Sequence, residues 1–393
     1  MSGAGRILVA GAGLAGLRTA EALRRHGWEG TITIVGDEVH LPYTRPPLSK
    51  KLLAEGGDHA TVELRRRDGE QEPEWLLGRA VVSADLARKV AVLDDGTALT
   101  YDGLVVATGV RARRLPTAVG SQTTVLRTVD DAVALADRLT PGSRVVVIGA
   151  GFIGCEVAAT ALARGCTVDV VAIDEVPMQI PLGVTVGAEL RRRHAAAGVE
   201  FHLRAGVSAV DPEGVVLDDG TRLDADVVVE AIGSQPNTEW LHGNELNLVN
   251  GVECDAYLRP GGMPGVVAVG DVARFPNAAY DDVPRRIEHW QIAVDTAMFA
   301  ARVLLADLEG TTWTDSFATI PTFWSDQGGV SLRAIGQPGL GEEIEILEGD
   351  LAEEAAVGYR RDGRLVGVVL LGMPKRMGAY LQQLTAELDA AKV

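Results

Sequence analysis

Residues 6–36 read RILVAGAGLAGLRTAEALRRHGWEGTITIVG, and residues 144–173 read RVVVIGAGFIGCEVAATALARGCTVDVVAI. Each stretch begins with an apolar run, passes through a glycine-rich turn into an amphipathic segment, and ends in a second apolar run. An apolar run bounded by glycine is typical of a buried strand in a parallel sheet, and the segment between has the spacing of a helix. The chain therefore contains the same predicted strand–helix–strand unit twice.

Both units carry glycines spaced G-x-G-x-x-G. The residues predicted to form the two cofactor-binding turns are Gly11, Gly13, Ala15 and Gly16 in the first unit and Gly149, Gly151, Ile153 and Gly154 in the second. The first glycine permits a tight turn, the second lets a diphosphate approach the backbone, and the third packs the helix against the strand. One such motif is weak evidence, but here both follow a strand and open a helix, as diphosphate binding requires.

A second repeat follows each unit. Residues 90–109 read VAVLDDGTALTYDGLVVATG, and residues 214–233 read GVVLDDGTRLDADVVVEAIG. The D-D-G sequence in each copy predicts a hairpin turn between two strands. We therefore expect each parallel sheet to carry a three-stranded β insertion. We also expect the second nucleotide-binding fold to be inserted into the sequence of the first.

The predicted fold class is α/β, with two Rossmann-like dinucleotide-binding domains and a small α+β C-terminal domain. The first domain is discontinuous, with residues 1–112 and 245–315, because VVAVGD near residue 271 resembles a further strand and turn of its sheet. The second domain spans residues 113–244. Residues 316–393 alternate strands and turns, end in a helical segment, and form a C-terminal interface domain.

Composition narrows the function classes. The formal net charge of −17 argues against non-specific binding to nucleic acid or to an anionic membrane. The chain starts directly with a strand, and no apolar stretch reaches about 18 residues, so neither a signal peptide nor a spanning helix is expected. Three cysteines without C-x-x-C spacing predict no metal site and a reduced, cytoplasmic location.

Two dinucleotide sites in one chain indicate two different dinucleotides. The chemistry that needs both is hydride transfer from a nicotinamide to a flavin. We expect the first glycine motif to hold FAD and the second to hold NAD(P)H.

The chain resembles the FAD-dependent NAD(P)H:ferredoxin reductase family of bacterial oxygenase systems, of the putidaredoxin reductase and biphenyl dioxygenase ferredoxin reductase type. The resemblance covers nearly the whole chain and rests on GAGLAG, VGDE, RPPLSK, ATG, LRTVDDA, GAGFIGCEVA, AIGSQPN, AVGDVARF and PTFWSDQ. It implies a glutathione-reductase-like fold. It also implies hydride transfer from NADH to FAD, followed by single-electron transfer to a 2Fe-2S or similar ferredoxin that serves a cytochrome P450 or Rieske oxygenase.

The resemblance also implies site residues. Lys50, in RPPLSK, would lie at the reactive edge of the flavin and stabilise the negative charge of the reduced ring, and Glu156 would contact the nicotinamide amide. These two are the catalytic candidates. Other implied FAD contacts are Asp37 on the adenosine ribose, Asp271 on the ribityl chain, and Arg45, Val82, Thr108, Gly109, Arg127, Trp290 and Trp324. Gly233 is a further implied cofactor contact.

One position departs from the expected pattern. A strand that binds NADH usually ends in Asp or Glu, which accepts hydrogen bonds from the ribose hydroxyls. Here that residue is Ala172, and Asp174 is the candidate replacement. Residues 172–183 contain no Arg or Lys for the 2′-phosphate of NADPH. We therefore expect NADH, with NADPH as the alternative coenzyme. RPPLSK contains no cysteine, so electrons would leave the flavin without a thiol relay.

Partner docking and two rival functions stay open. An acidic chain needs a local basic patch to dock an acidic ferredoxin. The candidate clusters are Arg65–Arg66–Arg67, Arg111/Arg113/Arg114, Arg285/Arg286 and Lys375/Arg376. The rivals are an FAD/NAD(P)H oxidoreductase acting directly on a small molecule or oxygen, and a non-catalytic NADH-sensing flavoprotein. The oligomeric state is open, with a homodimer as one option.

Overall fold

The structure is a computed structural model that describes residues 5–66, 71–116 and 123–390. The chain forms two compact units. Unit 1 comprises Met1–Thr44, Glu63–Arg111 and Gln235–Pro321, and unit 2 comprises Arg45–Val62, Ala112–Ser234 and Thr322–Val393. The segment RPPLSK therefore belongs to unit 2, together with the second glycine motif.

In the first part of the described chain, short strands alternate with two helices. The strands are β1 (Arg6–Ala10), β2 (Thr31–Gly36), β3 (Glu74–Leu77), β4 (Val81–Asp85), β5 (Val90–Leu93), β6 (Ala98–Thr100), β7 (Gly103–Val106) and β8 (Val110–Ala112). The helices are α1 (Leu14–Arg25) and α2 (Lys51–Glu55), with a 3₁₀ turn at His59–Thr61.

The middle part repeats this order. Its strands are β9 (Thr124–Val125), β10 (Arg144–Ile148), β11 (Thr167–Ala172), β12 (Val199–Leu203), β13 (Val207–Asp211), β14 (Gly214–Leu217), β15 (Arg222–Asp224), β16 (Val227–Glu230) and β17 (Ser234–Pro236). Its helices are α3 (Val129–Arg138), α4 (Phe152–Ala163) and α5 (Gln179–Ala197).

The last part is richest in strands. These are β18 (Val252–Glu253), β19 (Val266–Ala268), β20 (Ala273–Asn277), β21 (Asp281–Arg286), β22 (Thr322–Gln327), β23 (Val330–Gly336), β24 (Glu343–Gly349), β25 (Ala355–Arg361) and β26 (Arg364–Leu371). The helices are α6 (Trp290–Glu309) and α7 (Met377–Ala390), with 3₁₀ turns at Glu239–Leu241, Gly270–Val272, Pro338–Leu340 and Pro374–Arg376.

Unit 1 is built on a parallel sheet in the order β19-β7-β1-β2-β3. Its central strand β1 is buried at four of five positions because both faces are covered, as the continuous apolar run predicts. Helices α1 and α6 pack against each other. The carboxyl ends of β1, β2, β7 and β19 meet at one edge of the sheet. Strands β4-β5-β6 form the predicted antiparallel insertion.

Unit 2 contains the second copy. Its parallel sheet has the order β12-β11-β10-β16-β9, and β13-β14-β15 form the second predicted insertion. An antiparallel sheet in the order β22-β23-β26-β25-β24, with α7 packed on β26, also belongs to this unit. Both predicted strand–helix–strand units and both insertions are therefore confirmed, and the division into three domains stays a prediction.

The structure also describes the cysteines and the length of the helices. Cys155, Cys166 and Cys254 are free and buried. Burial raises the pKa of the Cys155 thiol to about 12, so this thiol is protonated and inert at neutral pH. Among the helices of the described residues, none has the combined length and apolar character needed to cross a bilayer.

Candidate functional site

The turn after β1 has the geometry of a diphosphate cradle. Gly11 has a φ of +122°, and a Cβ there would lie 2.1 Å from the carbonyl oxygen of Ala107. A Cβ on Gly16 would lie 2.0 Å from the carbonyl oxygen of Gly11, so helix α1 packs directly on the turn. A Cβ on Gly13 would meet no described atom within 4 Å. The turn is closed on the protein side and open where a ligand would approach.

The turn after β10 repeats this arrangement. Gly149 has a φ of +109°, and its Cβ would lie 2.3 Å from the carbonyl oxygen of Ala231. A Cβ on Gly154 would lie 2.0 Å from the Gly149 carbonyl oxygen, and one on Gly151 would meet no described atom within 4 Å. Within the described chain, no side chain caps the start of α1 or of α4. Both helix N-termini can therefore donate backbone N–H groups to a diphosphate.

In unit 1 the predicted FAD contacts gather at the carboxyl edge of the parallel sheet. Asp37 is exposed directly after β2. Thr108 Oγ1 donates to the carbonyl oxygen of Asn237 at 2.7 Å, and Asn237 Nδ2 donates back to the Thr108 carbonyl oxygen at 2.9 Å. Gly109 has a φ of +61°. These residues surround the edge where ligands of such sheets bind.

Asp271, Trp290 and Ala15 lie at the same edge. Gly270 has a φ of +69°, and a Cβ there would lie 2.8 Å from the Cβ of Ala15. Asp271 follows it, and Trp290 is the first residue of α6. Burial lowers the pKa of His289, beside Trp290, to about 4, and the negative charge of Asp271 opposes this shift. Asp271 is therefore electrostatically coupled to the start of α6.

Val82 lies on a different sheet from the one at whose edge these residues gather. It lies on β4 of the antiparallel insertion, and 51% of its surface is exposed. Its predicted contact with FAD stays a prediction.

In unit 2 the two catalytic candidates form an ion pair. Lys50 Nζ lies 2.6 Å from Glu156 Oε2, with 21% of the Lys50 side chain and 5% of the Glu156 side chain exposed. The Ser49 hydroxyl donates to the same carboxylate oxygen. Lys50 Nζ also donates to the Pro46 carbonyl oxygen at 3.1 Å. The segment RPPLSK thus presents two consecutive donors, Ser49 and Lys50, to one buried carboxylate.

The other oxygen of Glu156 is held by strand β22. The Ser325 hydroxyl donates to Glu156 Oε1. Gln327 Nε2 donates to Ser325 Oγ at 2.9 Å, and Gln327 Oε1 lies 2.7 Å from His194 Nε2 on α5. Ser325, Gln327 and His194 are at most 2% exposed. We call Lys50, Ser49, Glu156, Ser325, Gln327 and His194 the Glu156 network.

Four members of the Glu156 network, namely Ser49, Ser325, Gln327 and His194, were not predicted as site residues. For two of the four, the local signal is the alternation in TFWSDQ, which puts Ser325 and Gln327 on one face of β22 and Trp324 on the other. Trp324 is 39% exposed. A serine and a glutamine on a strand ordinarily indicate a solvent face, so the sequence alone did not point to a buried network.

Two further predicted FAD residues contact each other. Arg45 Nη1 donates to the carbonyl oxygen of Arg127 at 2.5 Å. The Arg127 backbone N–H donates to Asp131 Oδ2 at 3.0 Å, and Asp131 completes a capping box with Thr128 at the start of α3. Helix capping therefore positions the backbone that holds Arg45.

The predicted coenzyme contacts surround the carboxyl edge of the second sheet. Ala172 ends β11 and is 5% exposed, and Asp174 follows it two residues later. Gly233 follows β16 with a φ of +99°. Ile153 lies in the first turn of α4 with 43% of its surface exposed.

The basic clusters proposed for docking are largely neutralised by nearby carboxylates. The pairs are Arg66–Glu72, Arg111–Glu239, Arg114–Glu230, Arg285–Asp281, Arg286–Glu288 and Arg376–Glu348. Arg67 lies outside the described residues. Among the described residues, each of these clusters therefore contains at least one cation whose charge is compensated by a carboxylate.

Comparison with known proteins agrees with this geometry. Residues 5–297 match the pyridine nucleotide-disulphide oxidoreductase family, and residues 322–392 match the reductase C-terminal family. The chain is 37% identical over 383 residues to the ferredoxin–NAD(+) reductase component of the p-cumate 2,3-dioxygenase system of Pseudomonas putida, covering 95% of this chain and 91% of that relative. It is 35% identical over 397 residues to putidaredoxin reductase of the same organism, covering 97% and 92%.

A solved structure is also similar. The crystal structure of the covalent putidaredoxin reductase–putidaredoxin complex matches with a TM-score of 0.90 and 33% identity, covering 98% of this chain and 94% of that chain.

Proposed function

The chain belongs to the pyridine nucleotide-disulphide oxidoreductase family, among the ferredoxin reductases of oxygenase systems, and we propose that it transfers reducing equivalents from NADH through FAD to a ferredoxin. The resemblance identified from the sequence is confirmed by these relatives. The observation that carries the proposal is the pair of diphosphate cradles, one in each unit, combined with the Lys50–Glu156 ion pair.

We assign FAD to the turn of Gly11, Gly13 and Gly16, and NADH to the turn of Gly149, Gly151 and Gly154. FAD, when bound, would accept two electrons as one hydride and return them one at a time, which links a two-electron donor to a one-electron carrier. We retain Asp37 and Asp271 as the carboxylates that would accept hydrogen bonds from its hydroxyl groups.

Lys50 and Glu156 act together, one as the charge that faces the flavin and the other as its support. Lys50 supplies a positive charge that stabilises negative charge developing on the reduced ring. Glu156 holds that ammonium group in position, and the hydroxyls of Ser49 and Ser325 hold Glu156. Because the carboxylate is anchored at both oxygens, the position of Lys50 is set before the coenzyme arrives.

Further assignments complete the proposal. We retain a discontinuous FAD domain of residues 1–112 and 245–315, a coenzyme domain of 113–244 and an interface domain of 316–393. Val82, Arg45, Arg127, Trp290 and Trp324 are retained as FAD contacts. The partner is a 2Fe-2S or similar ferredoxin that serves a cytochrome P450 or Rieske oxygenase. The buried cysteines are consistent with a reduced, cytoplasmic setting, and a homodimer stays open.

An anaerobic titration of the purified protein tests the proposal. NADH is added stepwise while the flavin absorption bands are followed, and oxidised ferredoxin is then added. We expect NADH to bleach the flavin and the ferredoxin to restore its bands. Bound flavin that no coenzyme reduces would overturn the proposal and favour a sensor or a degraded coenzyme site. Flavin reoxidised by a small molecule but not by any ferredoxin would favour the direct oxidoreductase.

A further inference from the structure

The end of β11 lacks the carboxylate that normally selects NADH, and the neighbouring strand places a cation beside it. Strands β11 and β12 are paired in parallel with Ala172 opposite Leu203. Arg204, the residue that follows β12, therefore emerges at the same edge as Ile173 and Asp174. Residues 172–183 contain neither Arg nor Lys, so this cation is invisible in the local sequence.

Backbone hydrogen bonds lock Arg204 at this edge. The Arg204 N–H donates to the carbonyl oxygen of Asp174 at 3.1 Å, and the Ala205 N–H donates to the carbonyl oxygen of Ala172 at 3.0 Å. Arg204 has a φ of +56°, so its backbone is held in a conformation that non-glycine residues seldom adopt. The Arg204 backbone is therefore anchored to the segment that would contact the adenosine ribose, and its side chain starts from that edge.

The Arg204 side chain is paired but not buried. Its Nη2 lies 2.8 Å from Glu175 Oε1, with 70% of the Arg204 side chain and 48% of the Glu175 side chain exposed. An exposed pair of this kind contributes little to stability. Its partner can therefore be exchanged at small cost for a more highly charged anion.

We propose that Arg204 is the specificity residue for the 2′ position of the coenzyme and that the protein accepts NADPH as well as NADH. This inference rests on the proposed function, since it requires the turn of Gly149–Gly154 to bind a nicotinamide dinucleotide. A 2′-phosphate displaces Glu175 and forms charge-assisted hydrogen bonds with the guanidinium group. With NADH, Arg204 stays on Glu175, and Asp174 accepts hydrogen bonds from the ribose hydroxyls.

The small side chain of Ala172 is what permits both coenzymes. A Glu or Asp at this position would bind the ribose hydroxyls and repel a phosphate. Ala172 does neither. The preference for one coenzyme over the other is therefore set by the next charged residues, which are Asp174, Glu175 and Arg204. Two of the three are negative, and removing the Glu175 charge should therefore shift the preference towards NADPH.

The test uses two variants and a matched control in the full-length holoprotein. Arg204→Gln removes the cation, Glu175→Gln removes its competitor, and Arg191→Gln removes an exposed cation elsewhere in the same unit. Calorimetry measures the binding of 2′,5′-ADP and of ADP, and stopped-flow absorbance measures flavin reduction by NADPH and by NADH.

We expect Arg204→Gln to weaken 2′,5′-ADP binding by about 10- to 100-fold and to change ADP binding by less than about threefold. Glu175→Gln should strengthen 2′,5′-ADP binding by about 3- to 10-fold, and Arg191→Gln should leave both unchanged. The ratio of flavin reduction rates with the two coenzymes should follow the same order.

Three results would overturn the inference. One is equal binding of 2′,5′-ADP by the wild type and Arg204→Gln; another is a parallel loss of ADP and 2′,5′-ADP in that variant; the third is no binding of 2′,5′-ADP at all. Failure of the proposed function would give a different result, because NADH would then fail to reduce the flavin in every variant. The calorimetric comparison does not depend on flavin reduction and measures the effect of Arg204 on nucleotide binding.

Discussion

Lys50 Nζ lies 2.6 Å from Glu156 Oε2, so the two residues identified separately as catalytic candidates are direct partners. Lys50 is the last residue of the segment RPPLSK, and Glu156 lies in the first turns of α4, the helix that follows the second glycine motif. Each residue therefore compensates the charge of the other, and a substitution that neutralises one leaves the other charge without its partner.

Lys50→Gln should slow flavin reduction by NADH. The substitution removes the positive charge that stabilises the reduced ring and leaves Glu156 without its cation, and we expect a loss of about 10- to 100-fold in rate. Stopped-flow bleaching of the flavin measures it. Lys51→Gln is the matched control, because Lys51 is the neighbouring residue and is exposed. Equal rates in the two variants would show that Lys50 does not act on the ring.

Ser325→Ala should destabilise the protein. It leaves Glu156 Oε1 without the hydroxyl donor and removes an acceptor from Gln327 Nε2. Losing a hydrogen bond to a buried charged group costs about 1–3 kcal/mol of unfolding free energy. Urea unfolding measures the change. Ser331→Ala on the neighbouring strand, where the serine is half-buried, should stay within about 0.5 kcal/mol of wild type. A Ser325→Ala variant as stable as that control would contradict the role of the Glu156 network.

Gly13→Ala and Gly151→Ala should separate the two cofactors. Neither new Cβ meets a described atom within 4 Å, so both variants should fold, while the methyl group occupies the approach to the diphosphate. We expect Gly13→Ala to be purified with little FAD. Gly151→Ala should retain FAD and bind NADH about tenfold or more weakly. Flavin content and coenzyme titration measure both effects, and the reverse pattern would exchange the assignment of the two turns.

The unfolding free energy should decrease below about pH 6.5 because of His194. Burial lowers the pKa of this imidazole from 6.5, and the hydrogen bond with Gln327 opposes the shift only in part. The unfolded chain then binds a proton that the folded chain does not, so stability is fully present above the unfolded pKa. It falls by at most about 1.4 kcal/mol per pH unit as the pH drops towards the folded pKa.

Urea unfolding between about pH 8 and about pH 5 tests this prediction. His194→Gln should show a shallower decline below about pH 6.5 than wild type. His242→Gln, at an exposed position, should keep the wild-type slope. Identical slopes in all three proteins would remove His194 as the cause.

Reduction of the ferredoxin should depend only moderately on salt. Most of the candidate docking arginines already have carboxylate partners, such as Arg111 with Glu239 at 2.6 Å. We expect the rate to fall by less than about tenfold between about 50 mM and about 300 mM salt. Flavin reduction by NADH, followed in parallel, separates this effect from a general effect on the enzyme. A much steeper fall would indicate a strongly basic docking surface.

Local patterns in the sequence accounted for the framework of the fold. The apolar runs around Gly11 and Gly149 predicted both parallel sheets, and the D-D-G turns predicted both antiparallel insertions. These features are set within a few residues by side-chain periodicity and by the conformational freedom of glycine. The family resemblance added Lys50 and Glu156 as candidates, but it did not indicate that they form an ion pair.

The tertiary structure decided which distant polar groups meet. Ser325 and Gln327 read locally as a polar strand edge, yet pairing and packing bury them against Glu156 and His194. Arg204 was equally hidden, because it lies outside the segment that follows β11 in the chain and reaches it only through the pairing of β11 with β12.

The sequence by itself therefore determined the two nucleotide-binding units, since their signals are periodic and short-range. Only the tertiary structure decided the partners of Glu156 and the cation beside Ala172. Hydrogen bonds and ion pairs depend on atoms being within a few ångströms, and strand pairing brings such atoms together without leaving a periodic trace in the chain.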